Sequence, residues 1–243
     1  MRFSLLALTL LLCLRTALSQ APQIVETSPK FWETGVRPTS KEVSVTFDQP
    51  LRYGFSSWLG AGSVLPETEV ESNNSADGRV FGLSVGLEPG KVYAFALNER
   101  EIPGVGFQSP RGIPLRRHFL VFQTAGTPAP EDAPPLAVST IPPHTAQQLD
   151  ATRLKALTIT FDRPMQATKH GLHMTENGKP VDLSTARFEY SQDGKTFVLA
   201  YEFKSSSAYQ FELNNTQDIG LASSTSIPLW PVRLAFSTGQ PQL

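Results

Sequence analysis

Val45-Thr46-Phe47-Asp48-Gln49-Pro50 returns 114 residues later as Ile159-Thr160-Phe161-Asp162-Arg163-Pro164. Four further stretches recur in the same order, at offsets of 114 or 116 residues. They are 77–83 with 193–199, 92–98 with 208–214, 113–115 with 227–229, and 122–124 with 236–238. This period is too long for a solenoid repeat and fits two copies of one complete domain.

The repeated stretches alternate apolar and polar residues with a period of two. Residues 43–47 read Val-Ser-Val-Thr-Phe, and residues 157–161 repeat the pattern. Such alternation predicts half-buried strands of antiparallel sheets. Asp-Gly dipeptides at 77–78 and 193–194 are tight-turn signals. We therefore predict an all-β fold in which each copy is a β-sandwich.

Residues 1–19 have the features of a signal peptide. A positive charge at Arg2 precedes an apolar run over residues 5–14, and Ala17-Leu18-Ser19 offers small residues at the cleavage site. The run is too short for a membrane-spanning helix, which needs about 20 apolar residues. The one cysteine, Cys13, follows Leu12 rather than the small residue that lipidation requires. The exported chain therefore has no cysteine, so its stability comes from its cores.

The charge of the exported chain limits the partners that it can bind. Loss of Arg2 and Arg15 leaves 19 basic against 22 acidic residues, a net charge of −3. This balance argues against a nucleic-acid binder and against adhesion to an anionic membrane.

Four prolines in residues 127–135 indicate a semi-rigid linker. We predict one domain over residues 20–126 and a second over residues 136–243.

Each copy resembles the bacterial Ig-like domain first described in S-layer proteins, the SbsA type. The shared motifs are Thr-x-Pro (27–29, 140–142), Thr-Phe-Asp-x-Pro (46–50, 160–164), Leu-x-Pro-Gly-x-x-Tyr (87–93) and Phe-x-Thr (122–124, 236–238). The second copy departs from the third motif, because serines replace Pro-Gly at residues 205–206. The resemblance implies two tandem Ig-like antiparallel β-sandwiches that act as non-catalytic modules of exported or surface proteins.

Asp48 and Asp162 follow the central strand of each copy and allow two interpretations. One is a calcium site, since calcium binds clusters of oxygen ligands. The other is a turn that the aspartate caps through its own backbone. No Asp-x-Asp-x-Asp cluster accompanies either residue, which favours the turn. The same interpretation applies to Asp77 and Asp193, because Asp-Gly is typical of hairpins.

The histidines show no catalytic pattern. On a helical turn, His170, His173 and Glu176 would converge on one metal ion. Gly171 weakens such a helix, so surface loop histidines are favoured. Neither His118 nor His144 has the neighbours of a general base. We expect no catalytic residue, no metal and no cofactor.

An aromatic group follows the first Phe-Asp-x-Pro. Trp58 aligns with Leu172 of the second copy and is expected in the core. Tyr53 and Phe55 align with Ala167 and Lys169, so their apolar character is not shared. Because exposed aromatic side chains stack on sugars or anchor partners, Tyr53 and Phe55 are the ligand-binding candidates.

These features predict a secreted, periplasmic or cell-surface protein without enzymatic activity. It would act as a spacer or adhesion-type unit toward an unknown protein or glycan of the cell envelope, with no membrane insertion after signal cleavage. The alternative is a carbohydrate- or peptide-binding protein that uses the aromatic surface of the first domain or an exposed sheet edge. A contiguous exposed aromatic patch would favour the binding protein, and a polar surface would favour the spacer.

Overall fold

A computed structural model describes residues 20–52, 58–60, 72–98, 100–168 and 171–240, with only the backbone described at 58–60 and 72. The chain divides into two compact units between Ala129 and Pro130, here called domain 1 and domain 2. Throughout the described ranges the regular elements are β-strands, which confirms the all-β class. No helix in these ranges has the length and apolar character needed to span a membrane.

Domain 1 consists of two four-stranded sheets. Its strands are β1 (Ile24–Ser28), β2 (Glu33–Val36), β3 (Glu42–Phe47), β4 (Trp58–Gly60), β5 (Ser72–Asn74), β6 (Val80–Ser84), β7 (Val92–Leu97) and β8 (His118–Thr124). The sheet orders are β1-β3-β6-β5 and β2-β8-β7-β4. All neighbours are antiparallel except β2, which runs parallel to β8.

Domain 2 also consists of two four-stranded sheets, which differ from those of domain 1 in one edge strand. Its strands are β9 (Ala137–Ile141), β10 (Ala156–Phe161), β11 (Leu172–Glu176), β12 (Lys179–Pro180), β13 (Arg187–Tyr190), β14 (Thr196–Ala200), β15 (Ala208–Leu213) and β16 (Val232–Ser237). The sheet orders are β13-β14-β10-β9 and β12-β11-β15-β16. Each domain is an Ig-like antiparallel β-sandwich with its own hydrophobic core between the two sheets.

The aromatic residues of the repeated motifs form the two cores. The predicted core pairs are buried in both copies, with none more than 5% exposed: Phe47 and Phe161, Tyr93 and Tyr209, Phe122 and Phe236. Phe47 packs on Phe107 at a ring-centroid distance of 5.3 Å, and Tyr209 packs on Phe236 at 5.5 Å. The apolar alternation in the sequence therefore identified the inner faces of the central strands.

A buried tyrosine fixes the corner before the seventh strand of each domain. The Tyr93 hydroxyl accepts a hydrogen bond from Glu88 N at 2.8 Å. The Tyr209 hydroxyl accepts one from Lys204 N at 2.6 Å. The second copy thus keeps the tyrosine corner without the Pro-Gly of the first, because the contact uses a backbone amide that any residue except proline supplies.

The threonine of each Phe-x-Thr motif holds the same corner from the last strand. Thr124 Oγ1 donates to Glu88 O at 2.6 Å, and Thr238 Oγ1 donates to Lys204 O at 2.6 Å. Thr238 Oγ1 also accepts from Ser207 N at 3.0 Å. One hydroxyl therefore satisfies a backbone donor and a backbone acceptor at the corner.

An asparagine ends β7 and β15 in the left-handed region, at a φ of 55° in both copies. Asn214 is fully buried, and its side chain makes three hydrogen bonds to the backbone of Leu221 and Leu229. Asn98 makes three equivalent bonds to Phe107 and Leu115. The repeated Leu-Asn at 97–98 and 213–214 is the sequence signal for this role, which was not predicted above.

Candidate functional site

The motif aspartates bind the residue that immediately precedes the first strand of their own domain. Asp48 Oδ1 accepts from Gln23 N at 2.9 Å, and Asp162 Oδ1 accepts from Leu136 N at 2.8 Å. The expected cap of a local turn is therefore wrong, because the bonded partners lie 25 and 26 residues earlier. Partial burial raises the pKa of Asp162, but hydrogen bonds from Arg163 and Leu136 outweigh it and lower the pKa overall.

The Asp-Gly aspartates do cap their hairpin turns. Asp77 Oδ1 accepts from Arg79 N at 3.1 Å, and Asp193 Oδ1 accepts from Lys195 N at 3.0 Å. Hydrogen bonds from Ser75 and from the turn backbone hold the pKa of Asp77 below its ordinary value. The predicted turn role of Asp77 and Asp193 is confirmed.

The histidine motif does not form a helical turn. His173 lies on strand β11, so the prediction of a loop position is wrong for this residue. Residues three apart on a strand point to opposite faces, which separates His173 from Glu176. Glu176 instead binds Lys204 Nζ at 2.8 Å. His170 lies outside the described residues.

The aromatic candidates are not placed by the structure. Tyr53 and Phe55 lie outside the described residues, and so does the side chain of Trp58. The assignment of Tyr53 and Phe55 as ligand-binding residues therefore stays a prediction.

The most developed candidate site is the outward face of the domain 2 sheet β12-β11-β15-β16. Strand register places six residues there in two rows across β11, β15 and β16: His173-Glu212-Arg233 and Thr175-Gln210-Ala235. We call these six residues the domain 2 outer face. Together with His144 they line a shallow depression of about 560 Å³. Five of these six side chains are polar and none is aromatic, but Phe211 and Leu234 also line the depression, so its surface is mixed polar and apolar.

An ion-pair network orders the first row. Arg233 Nη2 lies 3.1 Å from Glu212 Oε1, and Asn215 Nδ2 donates to Glu212 Oε2 at 3.1 Å. His173 Nε2 lies 3.6 Å from Asp218 Oδ2. The Arg233 side chain remains 85% exposed, so its guanidinium presents donors to the solvent.

His144 completes the rim at the edge strand. Its Nδ1 lies 3.1 Å from Ala235 N, which donates to it. The depression therefore offers both donors and acceptors, which suits a polar ligand or a polar protein surface.

The corresponding face of domain 1 has the opposite character. Strand register places Ala94 opposite Val121 and Ala96 opposite Phe119 on the outward side of β7 and β8. Ala94, Ala96 and Val121 are at most 3% exposed. The prediction of half-buried strands is therefore wrong for β7, in which all six residues are buried. In β7 the small residues Ala94 and Ala96 alternate with large ones, and this pattern does not show whether the side with the small residues faces solvent or is buried.

Comparison with known proteins adds structural neighbours only. A scan against protein-family models finds no match. A search of curated proteins finds none either. Among solved structures, an I-band fragment of titin is 10% identical with a TM-score of 0.28, and the alignment covers 90% of this chain and 65% of the fragment.

Two further structures are similar at the same level. Rst D1-D2 is 11% identical, with 90% and 100% coverage and a TM-score of 0.28. The surface layer protein SbsC, domains 1-6, is 14% identical with a TM-score of 0.32, and this chain spans 26% of it. These scores are low, so the assignment of Ig-like sandwiches rests on the strand order and the two cores.

Proposed function

We propose that this protein is an exported, non-catalytic module of two SbsA-type Ig-like domains that serves as a spacer or adhesion-type binding unit at or outside the cell surface. The proposal rests on what the polar side chains of the repeated motifs bind. The aspartate, tyrosine, threonine and asparagine of each copy bind backbone groups of their own domain. The repeated motifs therefore maintain the fold.

The polar residues that occur in only one copy are better placed to bind a partner than to catalyse a reaction. General acid-base catalysis needs groups that converge on substrate in a site that excludes water. The domain 2 outer face is an open sheet surface whose Glu212 is already paired with Arg233. Such a surface supports contact with a polar partner, and its lack of aromatic residues favours the spacer or adhesion unit.

The linker supports a spacer role. Arg163 Nη1 donates to Pro130 O and Ala133 O, both at 2.7 Å. Thr225 Oγ1 donates to Glu131 O at 3.0 Å. These bonds fasten residues 130–133 to domain 2, so this part of the proline-rich stretch is not a free tether.

Export is tested by expressing the chain with a C-terminal tag in a bacterial host. The exported fraction should contain a chain that begins at Gln20, because the predicted signal ends at Ser19. An Ala17→Arg variant is the matched control and should remain unprocessed, since it removes the small residue at the cleavage site. Cytoplasmic retention of the wild type with an intact N-terminus would contradict export.

Binding is tested by sedimentation with purified envelope material. If the domain 2 outer face binds, His173→Ala with Arg233→Ala should weaken sedimentation while the far-UV spectrum is unchanged. If the alternative carbohydrate- or peptide-binding role holds, Tyr53→Ala with Phe55→Ala should do so instead. Wild-type binding by both double variants would contradict both assignments.

A further inference from the structure

The connection between β7 and β8, residues 98–117, has features that its domain 2 counterpart, residues 214–231, lacks. It contains four arginines and two glutamates, whereas the domain 2 connection has one charged residue, Asp218. Near its middle, Ile102 and Val105 remain 44% and 54% exposed. Residues common to both copies serve the shared fold, so these copy-specific features are available for another role.

The apolar residues sit on a preformed turn. Val105 N donates to Ile102 O at 3.1 Å, with Pro103 and Gly104 between them. Gly104 has a φ of 87°, as the third position of a type II turn requires. Its amide donates to Gln108 Oε1 at 3.1 Å, and a Cβ built on Gly104 would meet nothing within 4 Å. We call residues 102–105 the apolar knuckle: it is exposed and already ordered, which lowers the entropy cost of binding.

The connection that carries the apolar knuckle has an excess of positive charge. Arg100, Arg116 and Arg117 belong to the same connection and are exposed. Glu101 Oε1 accepts from Arg117 N at 3.3 Å, which joins the base of the apolar knuckle to the start of β8. The Arg117 guanidinium lies 5.5 Å from the Phe119 ring centroid, which orients it.

We propose that the apolar knuckle docks into an apolar pocket with an acidic rim on a partner protein. This inference rests on the proposed function as an interaction module. In many compact interfaces, a few side chains that fill a pocket on the partner account for most of the binding free energy. The guanidinium group of arginine binds a carboxylate through two parallel hydrogen bonds. The exported chain carries a net charge of −3, which disfavours an anionic membrane as the occupant.

The partner is identified with a photo-crosslinking amino acid at position 105 of the full chain, in the cells that produce it. The same amino acid at Gln217, on the domain 2 connection, is the matched control. We expect one discrete protein adduct from position 105, with acidic residues in the crosslinked peptide, and none from position 217.

The Kd of variants for the purified partner then shows how much the apolar knuckle contributes to binding. Ile102→Ala should raise the Kd by about 10-fold or more, the range of an interface anchor. Arg116→Glu with Arg117→Glu should slow association and reduce its dependence on salt. Ile141→Ala, which removes a side chain that is 66% exposed in domain 2, should leave the Kd unchanged.

Several results would overturn the proposal. They are no protein adduct at position 105, equal adducts at positions 105 and 217, a Kd unaffected by Ile102→Ala, or Ile102-dependent binding to vesicles of phosphatidylglycerol and phosphatidylcholine. An adduct from position 217 alone would leave the module function standing and remove the apolar knuckle as its docking element. A chain that is retained in the cytoplasm would instead contradict the module function itself.

Discussion

Replacing Asn214 with alanine should destabilise domain 2 selectively. The change removes three hydrogen bonds of 2.8, 2.8 and 3.0 Å from a fully buried side chain. At a net value of about 0.5–1.5 kcal/mol each, their loss costs roughly 3 kcal/mol, because Leu221 N and Leu229 O lose their side-chain partner and Leu221 O keeps only Leu229 N. Alanine at a φ of 55° adds about 1 kcal/mol. A total of about 4 kcal/mol is a large share of a domain stability of about 5–15 kcal/mol.

Hydrogen exchange of the intact chain resolves the two domains. In Asn214→Ala, protection of the core amides of β14 and β15 should fall by about 1,000-fold, since each 1.4 kcal/mol is a factor of ten. The amides of β6 and β7 should not change. Asn98→Ala is the matched control and should reverse the pattern. A loss below about 1 kcal/mol, or equal loss in both domains, would refute this role of the asparagine.

Of four further predictions, three concern side chains that bind backbone groups and one concerns metal binding. Tyr209→Phe removes the acceptor of Lys204 N and should lower the stability of domain 2 by about 1 kcal/mol in urea, whereas an unchanged midpoint would contradict the corner contact. Burial raises the pKa of Tyr190 from 10.0 to about 12, so domain 2 should lose stability as the pH rises through this range. Tyr190→Phe should remove that loss in an alkaline titration. Asp162 has a pKa below its ordinary value of 3.8, so its contribution to stability should decline as the pH falls below 3.8 and be lost once the pH passes the lower folded-state pKa. Asp162→Ala should flatten this acid limb of the stability profile. Calcium or a chelator should leave the melting temperature of the wild type unchanged, and a shift of several degrees would indicate a metal site.

The fold was predictable because its determinants are local and occur twice. Alternation located β3 and β10, and the buried Phe47 and Phe161 follow from it directly. The tyrosine corner was visible at residues 87–93. In the second copy it is present without the Pro-Gly signal, because Lys204 supplies only its amide.

The contacts between distant segments were not predictable. Asp162 binds Leu136, 26 residues away, and a sequence pattern of four to six residues carries no information on such a partner. The domain 2 outer face likewise depends on register, since His173, Glu212 and Arg233 become neighbours only when three strands align. The apolar knuckle was missed because exposure of Ile102 and Val105 depends on a turn that points away from the core.

The central claim is that the polar residues of the repeated motifs brace the same contacts in both domains and are thereby committed to the fold. Amide exchange of the wild-type chain, followed by NMR, tests it most directly. The account predicts that the amides bound by the motif side chains exchange as slowly as those of β7 and β15: Glu88, Phe107, Lys204 and Leu221. Exchange of these four amides as fast as that of an unstructured peptide would contradict it.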